Sequence, residues 1–120
     1  MYIKDILYFN KEDSEAEVSI SDGHYIVNCY AYPCDRVLVN QRINIIYGFE
    51  CANIIRLNKN KYAIKKLPQH YAYQFAAQVV DNESEIVRVG DLFIKLDNSI
   101  PKDIINGEYI AFSVLRLDCD

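Results

Sequence analysis

Residues 15–32 read EAEVSISDGHYIVNCYAY, and this stretch decides the fold. Apolar and polar side chains alternate from Glu15 to Ser21, which is the period of a half-buried β-strand. Asp22 and Gly23 follow at once, and an Asp-Gly pair between two alternating runs is the strongest short-range signal for a β-hairpin. The reason is that a type I′ turn needs positive φ at both central residues. The stretch therefore predicts two antiparallel strands joined by a tight turn.

A two-residue loop would also fix how the two strands pair. Ile20 would then face Tyr25, and Val18 would face Val27. This pairing predicts a core face made of alternate residues: Ala16, Val18, Ile20, Tyr25, Val27 and Cys29.

The opposite face of the second strand carries more ring-bearing side chains than contact with water requires. It holds His24, Asn28, Tyr30 and Tyr32, and tyrosine offers a large contact area with a polar tip at low entropic cost. We interpret these four residues as a candidate protein-binding face, and we expect at least one of the two tyrosine rings to be exposed. The alternative is that they pack as a second core against a stripe of three rings: Tyr71, Tyr73 and Phe75.

The rest of the chain repeats short alternating runs separated by turns. Ile3–Phe9 is interpreted as an edge strand, and further strands are predicted at 42–51, 53–57, 62–67, 71–80, 85–89, 92–96 and 108–117. In 42–51, one face is expected to carry Ile43, Ile45, Tyr47, Phe49 and Cys51. Residues 99–106 have the features of one short helical turn, because Ser99 can cap its start, Pro101 suits its first turn and Gly107 suits its end.

The segment VGDLFIKLDNSIPKDIINGEYIAFSVLRLD, from Val89 to Asp118, resembles the closing strands of OB-fold barrels, in which a strand, a short helical turn and a glycine-led strand follow one another. With many short strands separated by turns, the sequence predicts a mostly β protein. We expect one domain over residues 1–120, a small OB-like β-barrel with additional strands. Closure into a barrel would remove exposed strand edges.

Length and composition favour a single cytoplasmic domain. The chain has 120 residues, of which 51% are hydrophobic and 25% are charged, as in ordinary globular proteins. The first ten residues, MYIKDILYFN, lack the features of a signal peptide, and no apolar run is long enough to span a membrane. Heavy use of Ile, Asn, Lys and Tyr is typical of a low-GC bacterium. Four cysteines in a reducing compartment are expected to be mostly buried thiols.

Metal binding and catalysis have little support in the residue pattern. Cys29 and Cys34 are five residues apart, so an extended strand would point them to opposite faces, and the chain has no second close pair. His24 and His70 are the only histidines, and neither lies in a catalytic signature. We therefore expect no enzyme activity, no metal and no cofactor.

The resemblance to OB folds implies a second possible function, since those barrels bind single-stranded nucleic acid on aromatic rings along a basic groove. One local cluster fits: Arg56, Lys59, Lys61, Tyr62, Lys65 and Lys66. A net charge of -4 and a pI of about 5.1 oppose it. The leading expectation is a non-catalytic binding or regulatory protein with a protein partner or a homo-oligomer. Single-stranded nucleic acid, or a small molecule in the barrel mouth, is the alternative.

Overall fold

Eleven short strands form one sheet in the computed structural model, which describes residues 1–10, 12–34 and 37–119. The prediction of a mostly β protein is confirmed. Over these ranges no helix is long and apolar enough to cross a membrane. The strands are β1 (Tyr2–Asn10), β2 (Glu15–Ser21), β3 (Ile26–Ala31), β4 (Ile46–Phe49), β5 (Ala52–Arg56), β6 (Ala63–Lys66), β7 (Tyr73–Asp81), β8 (Ile86–Val89), β9 (Leu92–Leu96), β10 (Tyr109–Val114) and β11 (Arg116–Asp118).

Strand β7 organises one end of the sheet. The strand order is β1-β2-β3-β11-β4-β9-β8-β7-β10-β5, and β6 also pairs with β7. Along one edge β7 pairs with β10, whereas its other edge is shared between β6 at residues 73–76 and β8 at residues 78–81. The β3–β11 and β4–β9 pairs are parallel and all other strand pairs are antiparallel. The connection from β5 to β6 must therefore pass β10 and β7.

The inner face of the sheet is a continuous apolar core. Alternate residues of β2, β3, β7, β9 and β10 point into it, as the period of two requires. Phe75 packs against Phe112 at 5.5 Å between ring centroids and stacks with Tyr73 at 5.6 Å. All four cysteines are buried, as predicted. The largest fully buried side chains include Phe75, Phe112, Ile3, Ile20, Ile46, Leu92, Ile94, Ile100, Ile110 and Leu117.

The predicted closed barrel is wrong, because the strands form an open sheet whose end strands, β1 and β5, do not pair with each other in the described parts of the chain. The sheet has eleven strands where ten segments were predicted, because the predicted strand at 108–117 breaks at Leu115 into β10 and β11. Edge strand β1 is irregular: it carries register shifts between Ile3 and Asp5 and between Tyr8 and Asn10. Such irregularities discourage further strand pairing.

The predicted helical turn at residues 99–106 is not confirmed, since residues 101–108 form two successive turns. The first is closed by a hydrogen bond from Ile104 N to the Pro101 carbonyl, and the second by one from Glu108 N to the Ile105 carbonyl. The Asn82 side-chain amide donates to the carbonyls of Pro101 and Ile104 at 3.0 and 2.6 Å. Because Asn82 occupies carbonyls that a continuing helix would use, the segment stays a pair of turns.

The opening hairpin exists, but its register differs by two residues from the prediction. Ile20 pairs with Val27 rather than Tyr25, so four residues form the loop. The Asp22 carboxylate accepts hydrogen bonds from the backbone N–H groups of His24 and Tyr25 at 2.9 and 2.7 Å, which holds the wider turn. A shift of two keeps every strand residue on its predicted face. Val27 and Cys29 therefore remain in the core.

The five residues predicted to share one face of 42–51 do not all do so, because Cys51 is buried in the core whereas Tyr47 and Phe49 are only half-buried. Ile46 and Gly48 point into the core, while Tyr47 and Phe49 lie on the outer face. A side chain at position 48 would place its Cβ 3.0 Å from the Val114 Cγ1 atom, so glycine allows this close approach. Because Gly48 has no apolar side chain, the alternation of apolar residues in the sequence pointed to the face that carries Tyr47 and Phe49 instead.

Gly90 is expected to be intolerant of a side chain. It has φ of +59°, and an added Cβ would lie 2.6 Å from Asp22 Oδ2 and 2.7 Å from the Tyr25 ring. Gly90→Ala should lower the free energy of unfolding by about 2–4 kcal/mol, measured by urea denaturation. Gly107, with φ of +97° and open space around it, is the matched control, and Gly107→Ala should cost only about 1–2 kcal/mol. Equal losses would contradict the steric argument.

Asp22 is expected to make stability depend on acidity. Burial raises the pKa of Asp22, but hydrogen bonds from the backbone N–H groups of Asp91, Tyr25 and His24 outweigh it and hold the pKa below its ordinary value. The unfolded chain then binds a proton first, so this stabilisation is present above about pH 4 and is lost as the pH falls further. Asp22→Asn should reduce that acid dependence in melting curves from pH 5 to 2. An unchanged slope would argue against the assignment.

Candidate protein-binding surface

The four residues predicted to form one binding face are not all brought together. His24 lies exposed in the hairpin loop, with its ring edge-on to Tyr25 at 4.5 Å. Asn28 has structural partners: its side chain accepts a hydrogen bond from Ser19 Oγ at 2.8 Å, and its backbone N–H donates to the Tyr73 hydroxyl at 2.9 Å. The Asn28 backbone therefore links β3 to β7, and its side-chain oxygen is already used within the β2–β3 hairpin.

The two tyrosines of the predicted face behave differently. Tyr32 is 60% exposed, which confirms the expectation that at least one of these rings is accessible. Tyr30 is half-buried and packs edge-on against Tyr71 at 5.9 Å. The alternative of packing against the ring stripe is thus correct for Tyr30, although Tyr73 and Phe75 belong to the inner core.

Six side chains form a continuous line of contacts on the outer face, which we call the aromatic row. The Phe9 and His70 rings lie 6.3 Å apart, His70 stacks on Tyr71 at 4.0 Å, and Tyr71 meets Tyr30. The Arg116 guanidinium lies 5.9 Å from the Tyr30 ring centre and 4.9 Å from that of Phe49. Such cation–ring contacts hold a cationic side chain in one orientation. The row consists of Phe9, His70, Tyr71, Tyr30, Arg116 and Phe49.

Strand register explains how residues distant in sequence meet here. Tyr30 is the partner of Glu17 in β2 and of Asp118 in β11. Arg116, two positions before Asp118, is opposite Phe49 in β4. The turn before β7, where Tyr71 has φ of +66°, brings His70 to within 2.7 Å of the Glu17 carboxylate. Long-range pairing, rather than any local motif, therefore assembles the row.

Carboxylates line the aromatic row and give it a negative character. Glu17 is paired with His70, and Asp118 with the Arg116 guanidinium, both at 2.7 Å. Burial raises the pKa of Tyr71, and the Glu17 carboxylate beside it adds to the effect. Burial likewise raises the pKa of Tyr30, with a further contribution from Glu15. Both phenols are therefore held in the neutral form.

The residues predicted for nucleic-acid binding are divided between different contacts. Arg56 pairs with Glu108 and Asp103 at 3.1 and 3.4 Å, and the Lys66 ammonium donates to the carbonyls of Leu67 and Gln69. The Tyr62 ring packs between Tyr109 and Tyr25, with centroid distances of 5.5 and 6.2 Å. This leaves three lysines that form no ion pair with any residue in the described ranges: Lys59, Lys61 and Lys65.

Beside these lysines lies a mainly apolar groove of about 250 Å³ on the outer face. Ala63, Ala76 and Ala111 are direct neighbours across β6, β7 and β10, so three small side chains form its floor. Lys65 is part of the lining. We call this feature the alanine groove; it is lined by Leu57, Ala63, Lys65, Gln74, Phe75, Ala76 and Ala111.

Other information on function is sparse. Comparison with protein-family models, with curated proteins and with solved structures finds no significant match for this chain. Within residues 1–10, 12–34 and 37–119, no group of three or more His, Cys, Asp or Glu side chains is arranged to hold a metal ion. Function must therefore be argued from the two outer-face surfaces.

The negative character of the aromatic row can be measured through its tyrosines. Because the Glu17 carboxylate opposes ionisation of Tyr71, Glu17→Gln should move one late-ionising tyrosine to lower pH in an alkaline titration followed by tyrosinate absorbance. The raised pKa of Tyr71 also means that the folded state favours the protonated phenol. The contribution of Tyr71 to folding stability is therefore complete below about pH 10 and declines as the pH rises further. Glu83→Gln, at an exposed position outside the row, is the control and should leave the titration unchanged. Identical curves for Glu17→Gln and wild type would refute the assignment.

Proposed function

We propose that this protein is a non-catalytic binding protein that recognises another protein through the aromatic row and the exposed side chains beside it. The observation that carries the proposal is the continuous line of ring and guanidinium contacts on one outer face. Tyrosine, tryptophan and arginine are the side chains that most often dominate binding energy at protein interfaces. If the aromatic row served only as a second hydrophobic core, it would have no need of an exposed ring such as Phe9 at its end.

The exposed members of this surface supply apolar anchors. Leu7, Phe9 and Tyr32 are 58%, 49% and 60% exposed, although each is a large apolar or aromatic residue. Leu7 is opposite Glu17, so it lies beside the His70–Glu17 pair. Contiguous exposed apolar surface with a polar rim is typical of protein-binding sites. Covering these side chains would remove apolar area from water and contribute directly to affinity.

The half-buried members of the row support binding in a different way. Tyr30, Tyr71 and Arg116 are already held by stacking, cation–ring and ion-pair contacts. Side chains that are ordered before binding lose little conformational entropy when a partner arrives. The surface therefore has a fixed centre with accessible apolar residues at one end.

Binding of single-stranded nucleic acid has less support than protein binding. The aromatic row is lined by Glu15, Glu17 and Asp118, which would repel phosphates. At the basic cluster, the Tyr62 ring is half-buried and contacts the rings of Tyr25 and Tyr109, so less of it is available for a base to stack on. The sequence places neither of its two histidines in a catalytic signature. A cytoplasmic location stays a prediction.

Alanine substitution tests the proposed surface. The double variant Phe9→Ala and Tyr32→Ala should lose the protein partners that immobilised wild type retains from extracts of the source cells. For a purified partner, calorimetry should show affinity reduced by about 30-fold or more, the effect of removing an interface hot spot of about 2 kcal/mol.

The control is Ile105→Ala, which removes a similarly exposed apolar side chain, 66% exposed, from the turn segment at 99–106. It should retain wild-type binding. The proposal fails if wild type and the Phe9→Ala, Tyr32→Ala double variant bind the same partners with equal affinity, or if wild type retains no partner.

A further inference from the structure

The alanine groove has the form of a receptor for one inserted side chain. Its floor is a row of side chains in register across four strands, and Ile55 continues it beside Ala111. Its volume, about 250 Å³, is below the roughly 300–1,000 Å³ typical of small-molecule sites. It is therefore better suited to a single ring from a protein than to a complete ligand.

The groove carries positive charge. Lys65 lines it, and Lys59 and Lys61 lie in the connection between β5 and β6, which also includes the lining residue Leu57. All three lysines are exposed, and the described part of the chain supplies no ion-pair partner for them. An apolar group flanked by carboxylates would complement both the lining and the charge.

Such a group is present elsewhere on the same molecule, in a surface that we call the acidic tip. Exposed Phe9 directly precedes Asn10, the strand partner of Glu15, and the Asn10 side chain donates to Asp13 at 2.9 Å. No described residue forms an ion pair with the carboxylates of the tip. The acidic tip consists of Phe9, Glu12, Asp13, Glu15 and Tyr32.

The two complementary surfaces belong to different strands, although the fold brings Phe9 of the tip to 6.3 Å from His70, in the turn between β6 and β7. The acidic tip belongs to β1, β2 and the residue following β3, whereas the alanine groove belongs to β5, β6, β7 and β10. The molecule is elongated, with principal extents of 46 × 25 × 24 Å. No residue of the tip lines the groove, so a contact that joins the two surfaces would be made between separate copies, in a head-to-tail arrangement.

We propose that the chain associates with itself head to tail, with Phe9 or Tyr32 of the acidic tip of one copy inserted into the alanine groove of the next. This rests on the proposed protein-binding function and names a second copy as the partner. Because the contact joins two different surfaces, each addition leaves one tip and one groove unoccupied. Assembly is therefore open-ended and is weakened by salt, which screens the lysine–carboxylate attraction.

A mixing experiment tests this geometry. The tip variant carries Phe9→Ala and Tyr32→Ala, and the groove variant carries Ala76→Leu and Lys65→Gln, all on the outer face. Sedimentation velocity of wild type at low salt should show a mass that rises with concentration. Each variant alone should be monomeric, with self-association at least about tenfold weaker. An equimolar mixture should form a dimer and stop there, since only one tip and one groove remain functional.

Lys102→Gln with Ile105→Ala, two exposed positions in the 99–106 turns, is the matched control and should assemble like wild type. If the groove variant does not fold by circular dichroism, Lys65→Glu alone replaces it, with the same expected result. Monomeric wild type at every concentration overturns self-association. If a different protein is then still retained through Phe9 and Tyr32, the proposed function stands without this inference; if none is retained, both fail. A mixture that stays monomeric or exceeds a dimer overturns the head-to-tail geometry.

Discussion

Strand β7 must satisfy three partner strands at once, and the rest of the structure depends on this constraint. Its inward side chains Tyr73 and Phe75 stack on each other, and Phe75 also packs against Phe112 of β10, so the core and the strand pairing are fixed together. The Tyr73 hydroxyl also accepts the Asn28 backbone N–H, which links the N-terminal hairpin to the same strand. On the outer face, β7 supplies the floor of the alanine groove, and the turn before it supplies two rings of the aromatic row. Core, hairpin and both surfaces therefore share one element.

Local chemistry in the sequence was sufficient to predict most strands but not their arrangement. Alternation predicted β2 and β9 at their observed bounds, because half-buried strands leave a period-two pattern. Hairpin register was missed by two residues, since the Asp22 side chain widens the loop in a way that an Asp-Gly pair alone does not reveal. The parallel β4–β9 pair, and the break between β10 and β11, depend on contacts that a single-sequence pattern does not record. For the same reason, openness of the sheet could not be distinguished from barrel closure.

The binding surface was predictable only in part. Tyr30 and Tyr32 were found because two rings on one side of a strand stand out against a polar face. His70, Phe49 and Arg116 were missed, as they lie 19 to 86 residues further along the chain than Tyr30 and join its row only through strand pairing and the turn before β7. The basic cluster shows the opposite error. Nearness in sequence grouped Arg56 with Lys65 and Lys66, whereas the fold gives Arg56 and Lys66 separate partners.

This surface has two kinds of residue: those that pack against the sheet, such as Arg116 between Tyr30 and Phe49, and those that are exposed on it. The ordered centre is built from side chains that pack against the sheet, while Leu7, Phe9 and Tyr32 contribute little to the core. Selection could therefore exchange the exposed residues, and so change the partner, without loss of folding stability. A protein with this division can diverge quickly in recognition while its framework stays constant.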